Sequence, residues 1–167
     1  MSCPTIILMG VCGAGKSHVG RLLAEELGAV FEDADYHHLP QTRAKLAAGF
    51  ALTDEDRRPW YQVLRQRILA VRGGGQRLVM ACSALHEVLR AWLRGDDSPE
   101  ALCFVLLESP REVIEARMKT RVGHFMPSSL IDSQFATLQV TPDILRVPND
   151  RDPHTVARSI YTLVTHS

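Results

Sequence analysis

The chain has 167 residues, of which 46% are hydrophobic and 23% are charged, and its 19 basic and 19 acidic side chains give a formal net charge of zero. These values are typical of one globular domain with a hydrophobic core, and they argue against a nucleic-acid binder that depends on bulk positive charge. The apolar stretch near the N-terminus is too short to span a membrane and lacks the basic segment of a signal peptide. Its four cysteines show no C-x-x-C spacing, so we expect reduced thiols in a cytoplasmic protein that binds neither nucleic acid nor membrane.

The first predicted elements are a strand, a glycine-rich loop and a helix. Residues 3–10 form a short apolar run rich in β-branched side chains, which predicts a buried strand. Residues 10–17, GVCGAGKS, fit the pattern G-x-x-x-x-G-K-[ST] at every fixed position. Apolar residues at helical spacing from 19 to 27 predict a helix that ends at Gly28. This context favours a phosphate-binding loop over a structural glycine turn.

The rest of the chain alternates strands with helices. Strands are predicted at residues 29–35, 77–84, 101–108 and 143–147. Helices are predicted at residues 40–48, 53–73 and 85–93, after Pro110, and from Pro153 onward. The alternation predicts a single α/β domain over residues 1–167, a three-layer fold with about five parallel strands and helices on both faces. Ligands of such folds bind at the carboxyl ends of the strands, where the glycine-rich loop lies.

The loop supplies the groups that a nucleoside triphosphate needs. Backbone N–H groups can converge on phosphate oxygens, Lys16 can reach the β- and γ-phosphates, and the Ser17 hydroxyl can bind Mg²⁺. ATP and Mg²⁺ are therefore the predicted cofactors. The predicted nucleotide-binding residues of this segment are Gly10, Cys12, Gly13, Ala14, Gly15, Lys16, Ser17 and His18.

Further motifs narrow the class of P-loop protein. The chain has no N-K-x-D motif, which argues against a GTPase, and the third predicted strand has no acidic residue at its end, which argues against a large ATPase. Two acids instead follow the second strand, as Asp33-x-Asp35. Arg117 and Arg121 lie four residues apart at a helix end. They are explained either by a solvated basic surface or, beside a P-loop, by an arginine-bearing lid over about residues 117–129 that closes over ATP.

Six segments in order, between about residues 6 and 139, together resemble the gluconokinase family of P-loop small-molecule kinases. They are GVCGAGKS, FEDADYHH, LTDEDRRPW, ACSAL, RVGHFMP and SQFATL. The resemblance implies ATP-dependent phosphorylation of D-gluconate to 6-phospho-D-gluconate by a homodimer with a fold like that of adenylate and shikimate kinases. The chain departs from the family pattern mainly on the substrate side, with Cys12 for Ser, His18 for Thr, Leu39 for Pro, Thr42 for Asn and His86 for Lys.

The resemblance also assigns roles to individual residues. Lys16, Asp35 and Arg121 are the predicted catalytic residues, and Arg117 joins Arg121 in binding the nucleotide. Ser17 is the predicted Mg²⁺ ligand, and Asp33 would hold a water bound to the ion. Asp35 would orient and deprotonate the attacking hydroxyl, although a turn or helix cap also explains an acid at either position. The predicted gluconate contacts are Asp35, His38, Lys45, Arg57, Arg90 and His124; for each basic residue taken alone, a surface salt bridge is a comparable explanation.

Two other hypotheses stay open on the sequence. One is a P-loop kinase for another small acceptor, such as shikimate or a nucleoside monophosphate, which Asp33-x-Asp35 also fits. The other is a nucleotide-binding module without catalysis. The presence of Lys16, Ser17, Asp33 and Arg121 together speaks against the second.

Overall fold

The computed structural model describes residues 3–120 and 128–166. Its strands form one sheet in the order β2-β3-β1-β4-β5, and all of the strand pairs are parallel. The α/β class and the parallel sheet predicted from the sequence are thus confirmed. The strands are β1 (Thr5–Met9), β2 (Val30–Asp33), β3 (Leu78–Ala81), β4 (Leu102–Glu108) and β5 (Ile144–Pro148).

Helices connect the strands, and a short 3₁₀ turn, Ala34–His37, follows β2 directly. The helices are α1 (Lys16–Leu27), α2 (Pro40–Ala47), α3 (Asp54–Gly73), α4 (Glu87–Arg94), α5 (Arg111–Thr120), α6 (Ser128–Thr137) and α7 (Pro153–Thr165). Within the described ranges, no helix is both long and apolar enough to cross a lipid bilayer.

The core consists of two apolar layers, one on each face of the sheet. Successive side chains of a strand point to opposite faces, so Ile6 and Leu8 of β1 pack in the layer that includes residues of α1 and α7. Ile7 and Met9 pack in the other layer, with residues of α3 and α4. Burying each of these side chains stabilises the fold by roughly 1.5–3 kcal/mol. The three-layer architecture is therefore as predicted.

Ion pairs fix both ends of α3. At its start, the Thr53 hydroxyl accepts a hydrogen bond from the backbone N–H of Asp56, and the Asp56 carboxylate accepts one from the Thr53 N–H at 2.8 Å. The same carboxylate accepts a bond from Lys45 Nζ at 2.5 Å. Farther along the helix, Arg65 and Arg72 both donate to Asp97, which follows α4, with the shortest contacts at 2.5 and 2.9 Å. We call this second group the Asp97 clamp, because it ties the end of α4 to α3.

The second strand is shorter than predicted. It ends at Asp33, whose carboxylate accepts a hydrogen bond from the backbone N–H of Asp35 at 3.0 Å and so caps the 3₁₀ turn. The expectation of an extended chain as far as residue 35 was therefore wrong. Two apolar side chains on the later helices are partly exposed, because Val88 of α4 is 47% exposed and Leu163 of α7 is 38% exposed.

The predicted lid coincides only partly with the described chain. Arg117 lies in the last turn of α5, and α6 begins at Ser128. Arg121 and His124, two of the predicted site residues, lie outside the described residues.

Candidate active site

The glycine-rich loop runs from the carboxyl end of β1 to the start of α1. Gly13 and Gly15 adopt φ angles of +83° and +81°, in the left-handed region that favours glycine. A Cβ on Gly13 would also lie only 3.0 Å from the sulfur of Met118, so a larger residue there would press on α5. Gly15 is the N-cap residue of α1, so the loop leads into a helix N-terminus, where free N–H groups and the helix dipole favour an anion.

Lys16 and Ser17 begin α1 and make their contacts within the loop and with β2. The Lys16 ammonium group donates to the carbonyl oxygens of Gly10 at 2.9 Å and Val11 at 3.0 Å. Burial lowers the pKa of Lys16, and nearby carboxylates, among them Asp35, oppose the shift. The Ser17 hydroxyl donates a hydrogen bond to the carboxylate of Asp33. A phosphate group entering the loop would therefore take Lys16 away from two carbonyl groups.

Asp33 and Asp35 line the same cleft as the loop. This cleft has a volume of about 640 Å³. Asp33 uses both carboxylate oxygens, one for the Ser17 hydroxyl and one for the Asp35 N–H. The Asp35 side chain is 79% exposed, and its Oδ1 lies 3.6 Å from His38 Nε2. Asp35 thus faces the cleft from a 3₁₀ turn, and not from the extended strand that the sequence suggested.

Three side chains from other elements contact the loop. The sequence predicted that Arg117 binds the nucleotide and gave no role to the other two. Arg117 of α5 donates to the Ala14 carbonyl at 3.2 Å. Asn149, which is 2% exposed and follows β5, donates to the same carbonyl at 2.5 Å and to the Ser109 hydroxyl at 3.0 Å. The Gln134 amide oxygen of α6 accepts from the Cys12 N–H at 2.5 Å. The loop is therefore held by elements that follow β4 and β5.

Sequence patterns could have indicated these contacts only in part. Asn149 follows the carboxyl end of a predicted strand, which is where site residues of a parallel sheet lie. Gln134 belongs to the SQFATL segment that contributed to the family resemblance, but nothing in its spacing connects it with the loop. His18 is exposed and Cys12 is partly buried, and both line the cleft. Their contact with the nucleotide stays a prediction.

In the described part of the chain, most of the predicted gluconate contacts already have protein partners. Lys45 pairs with Asp56, as described above. Arg57 and His86 both pair with Asp54, at 3.4 and 3.1 Å. These are the surface salt bridges that the sequence allowed as the other explanation. The gluconate roles of Lys45 and Arg57 stay predictions.

Arg90 and His38 are more enclosed. Arg90 is 4% exposed and donates to the carbonyl oxygens of Ala84 at 2.8 Å and Gln139 at 2.7 Å. Ala84 has a φ of +44°, so Arg90 braces an unusual backbone conformation after β3. His38 stacks on the indole of Trp60, with ring centroids 3.8 Å apart. Arg90 is thus engaged with the backbone, whereas His38 has one ring nitrogen that faces Asp35.

Comparisons with known proteins agree with this geometry. The family model described as an AAA domain matches residues 6–126. A gluconokinase from Arabidopsis thaliana is 38% identical, over 97% of this chain and 93% of that protein. A solved gluconokinase from Sinorhizobium meliloti 1021 superposes with a TM-score of 0.85 at 36% identity and covers 99% of this chain and 94% of that one. A shikimate kinase from Acinetobacter baumannii in complex with shikimate has a TM-score of 0.62 at 19% identity, covering 98% of this chain and 94% of that one, and shares the fold alone.

Proposed function

This chain belongs to the gluconokinase family, and we propose that its cleft transfers the γ-phosphate of ATP to D-gluconate, giving 6-phospho-D-gluconate and ADP. One structural observation supports the reaction more than any other. Lys16 and Ser17 of the phosphate loop line the same cleft as Asp33 and Asp35, which lie at and just after the end of a different strand. A nucleotide site and a potential proton acceptor thus open onto the same space.

The chain's own groups account for the binding of the nucleotide. The N–H groups at the start of α1 receive the phosphates, and Lys16 exchanges its contacts with Gly10 and Val11 for phosphate oxygens. Arg117 donates to the Ala14 carbonyl and lines the cleft, so it would add a positive charge beside the phosphates. Arg121 would place a further positive charge beside the γ-phosphate as negative charge develops there.

The donor set beside Lys16 fits Mg²⁺ held jointly with phosphate. No group of three or more His, Cys, Asp or Glu residues suited to a metal occurs in the ranges that the structure describes. Mg²⁺ is usually bound in kinases by one or two protein oxygens together with phosphates and water. The Ser17 hydroxyl would provide one such oxygen, and the Asp33 carboxylate, which contacts it, would hold a water bound to the ion. When bound, Mg²⁺ neutralises charge on the phosphate oxygens.

Asp35 is the group that we propose for the acceptor hydroxyl. An alcohol is a weak nucleophile, and a carboxylate within hydrogen-bond reach orients it and takes its proton as the new O–P bond forms. Asp35 has this freedom because its carboxylate is largely exposed in the cleft and its main fixed contact is made through its backbone N–H. The two carboxylates therefore have different proposed roles. Asp33 contributes to the metal site, and Asp35 binds the acceptor hydroxyl.

The proposal includes three finer properties. A homodimer is what the family resemblance implies, and sedimentation analysis of the purified protein at several concentrations tests it. A requirement for Mg²⁺ is supported by the Ser17 and Asp33 oxygens, and titration of activity with the ion tests it. A cytoplasmic location rests on the cysteine pattern of the sequence.

An acceptor screen tests the proposed function directly. ADP release is measured over gluconate, related sugar acids, shikimate and nucleoside monophosphates, and we expect gluconate to give the highest kcat/KM. The Lys16→Ala variant should lose the activity, whereas Arg158→Ala, which removes a positive charge from a side chain that is 71% exposed on α7, should keep it. A higher kcat/KM for shikimate or a nucleoside monophosphate would show that the acceptor assignment is wrong.

A further inference from the structure

His38 is held from several sides at the edge of the cleft. Its ring stacks on Trp60 with an interplanar angle of 23°, and its side chain is only 12% exposed. The Trp60 indole N–H donates to the carbonyl of Ala34 at 2.9 Å, so the same tryptophan also supports the 3₁₀ turn that bears Asp35. His38 Nδ1 lies 3.3 Å from the Thr42 hydroxyl, and Nε2 lies 3.6 Å from Asp35 Oδ1. The position of both ring nitrogens is thus defined.

The hydrogen bonds of Thr42 determine which nitrogen has the proton. Thr42 is 2% exposed, and its hydroxyl lies 2.8 Å from the carbonyl oxygen of Leu39. A carbonyl oxygen only accepts, so the single hydroxyl proton of Thr42 must be donated to Leu39. The hydroxyl oxygen can then only accept from the imidazole. A hydrogen bond between the two side chains therefore requires the proton of neutral His38 on Nδ1, which leaves a lone pair on Nε2.

The surroundings favour the neutral ring. Burial lowers the pKa of His38, and the positive charges of Arg43 on α2 and Arg57 on α3 act in the same direction, against the opposing effect of Asp35. Neutral His38 and ionised Asp35 then present two hydrogen-bond acceptors to each other, and neither has a proton to share. Two such acceptors, 3.6 Å apart at the edge of a cleft, suit a ligand with hydroxyl groups on two neighbouring carbons.

We propose that Thr42 holds the His38 proton on Nδ1, so that Nε2 accepts a hydrogen bond from the hydroxyl next to the one that Asp35 activates. This inference rests on the proposed function, in which the C6 hydroxyl of gluconate is phosphorylated, and it assigns the C5 hydroxyl to His38. His38 contacts the substrate, and Thr42 is a positioning residue that acts through it. The pair would select acceptors with a vicinal diol at the reacting end.

The first test observes the tautomer in the unmodified protein. Long-range ¹H–¹⁵N correlation spectra of protein labelled with ¹⁵N at its seven histidines distinguish an Nδ1–H ring from an Nε2–H ring. The His38→Asn variant identifies the His38 signal by its disappearance. We expect the Nδ1–H form at neutral pH. The Nε2–H form would overturn the proposal, whether or not any variant folds.

The second test compares gluconate with 5-deoxygluconate, which keeps the reacting hydroxyl and lacks its neighbour. We expect wild-type kcat/KM to be lower for the deoxy compound by about tenfold or more, because Nε2 then lacks a donor. Thr42→Val removes the hydroxyl at nearly constant volume and should reduce this discrimination to within about twofold. Thr42→Ser keeps the hydroxyl and should preserve the discrimination. The KM for ATP should stay within about twofold of the wild-type value in both variants.

The outcomes separate this inference from the proposed function. Discrimination below about twofold in the wild type, or discrimination that persists in Thr42→Val, would overturn the inference while gluconate remains the substrate. Failure of the wild type to phosphorylate gluconate, with activity on an unrelated acceptor, would overturn the proposed function, and the tautomer spectrum would still decide the role of Thr42. If Thr42→Val does not fold, the spectrum and the wild-type comparison decide the question.

Discussion

Replacing Asp35 by Asn would remove a charge and a proton acceptor from the cleft at nearly constant size. The native carboxylate is 79% exposed, and its Oδ1 lies 3.6 Å from His38 Nε2. The hydrogen bond from its backbone N–H to Asp33 does not depend on the side chain. We therefore expect the free energy of unfolding to change by at most about 0.5 kcal/mol, since exposed ion pairs contribute little.

The effect on catalysis should be far larger. A positioned general base contributes roughly 10²–10⁴-fold, so kcat of Asp35→Asn should fall by about 100-fold or more. The affinity for ATP should be nearly unchanged, because Lys16 and the loop keep all their contacts. Steady-state ADP release gives kcat, and equilibrium titration gives the nucleotide Kd. Asp96→Asn, a change of the same kind at an exposed site after α4, is the matched control.

Two results would refute this reasoning. A near-normal kcat would show that Asp35 only completes the 3₁₀ turn. A collapse of ATP binding would place Asp35 on the nucleotide side of the cleft.

Three further predictions concern the lid, the Asp97 clamp and acid stability. Arg121→Ala should lower kcat by about 10³-fold while weakening ATP binding much less. Unchanged kinetics would show that Arg121 belongs to a solvated basic surface and has no role in catalysis. Asp97→Asn should lower the free energy of unfolding by about 1–3 kcal/mol in urea denaturation, whereas Asp96→Asn should not; equal effects would contradict the clamp. Hydrogen bonds with Lys45 and Thr53 lower the pKa of Asp56 to about 2, so the Lys45–Asp56 pair should stabilise the fold above about pH 4 and lose its effect as the pH falls to about 2. Urea denaturation of wild type and Lys45→Gln over that range tests this, and parallel losses of stability in the two proteins would contradict it.

The sheet and the phosphate loop were predictable because local physical constraints determine them. A short apolar run such as residues 5–9 is stable only as a buried strand, and its five side chains are all buried in the structure. The loop requires left-handed backbone at Gly13 and Gly15, which only glycine adopts readily, so the residue types alone indicate its conformation. The roles of Lys16 and Ser17 were predictable because both occupy fixed positions of the loop pattern at the start of the helix.

The surroundings of Asp35 were not predictable in the same way. The sequence predicted a strand through residue 35, but the hydrogen bond that the Asp35 N–H donates to the Asp33 carboxylate begins a 3₁₀ turn and ends the strand. The contacts of Asn149 and Gln134 with the loop join residues that are 135 and 122 positions apart. No local pattern reports such contacts, because they depend on how the whole sheet is ordered.

The most direct test of the central claim is the position of the phosphate in the product. Protein, ATP, Mg²⁺ and D-gluconate are incubated together, and the product is examined by ³¹P and ¹H NMR. We expect a phosphate monoester coupled to the two protons on C6 of gluconate, formed in equal amount with ADP. ATP consumed without a gluconate phosphate, or a phosphate on another hydroxyl, would contradict it.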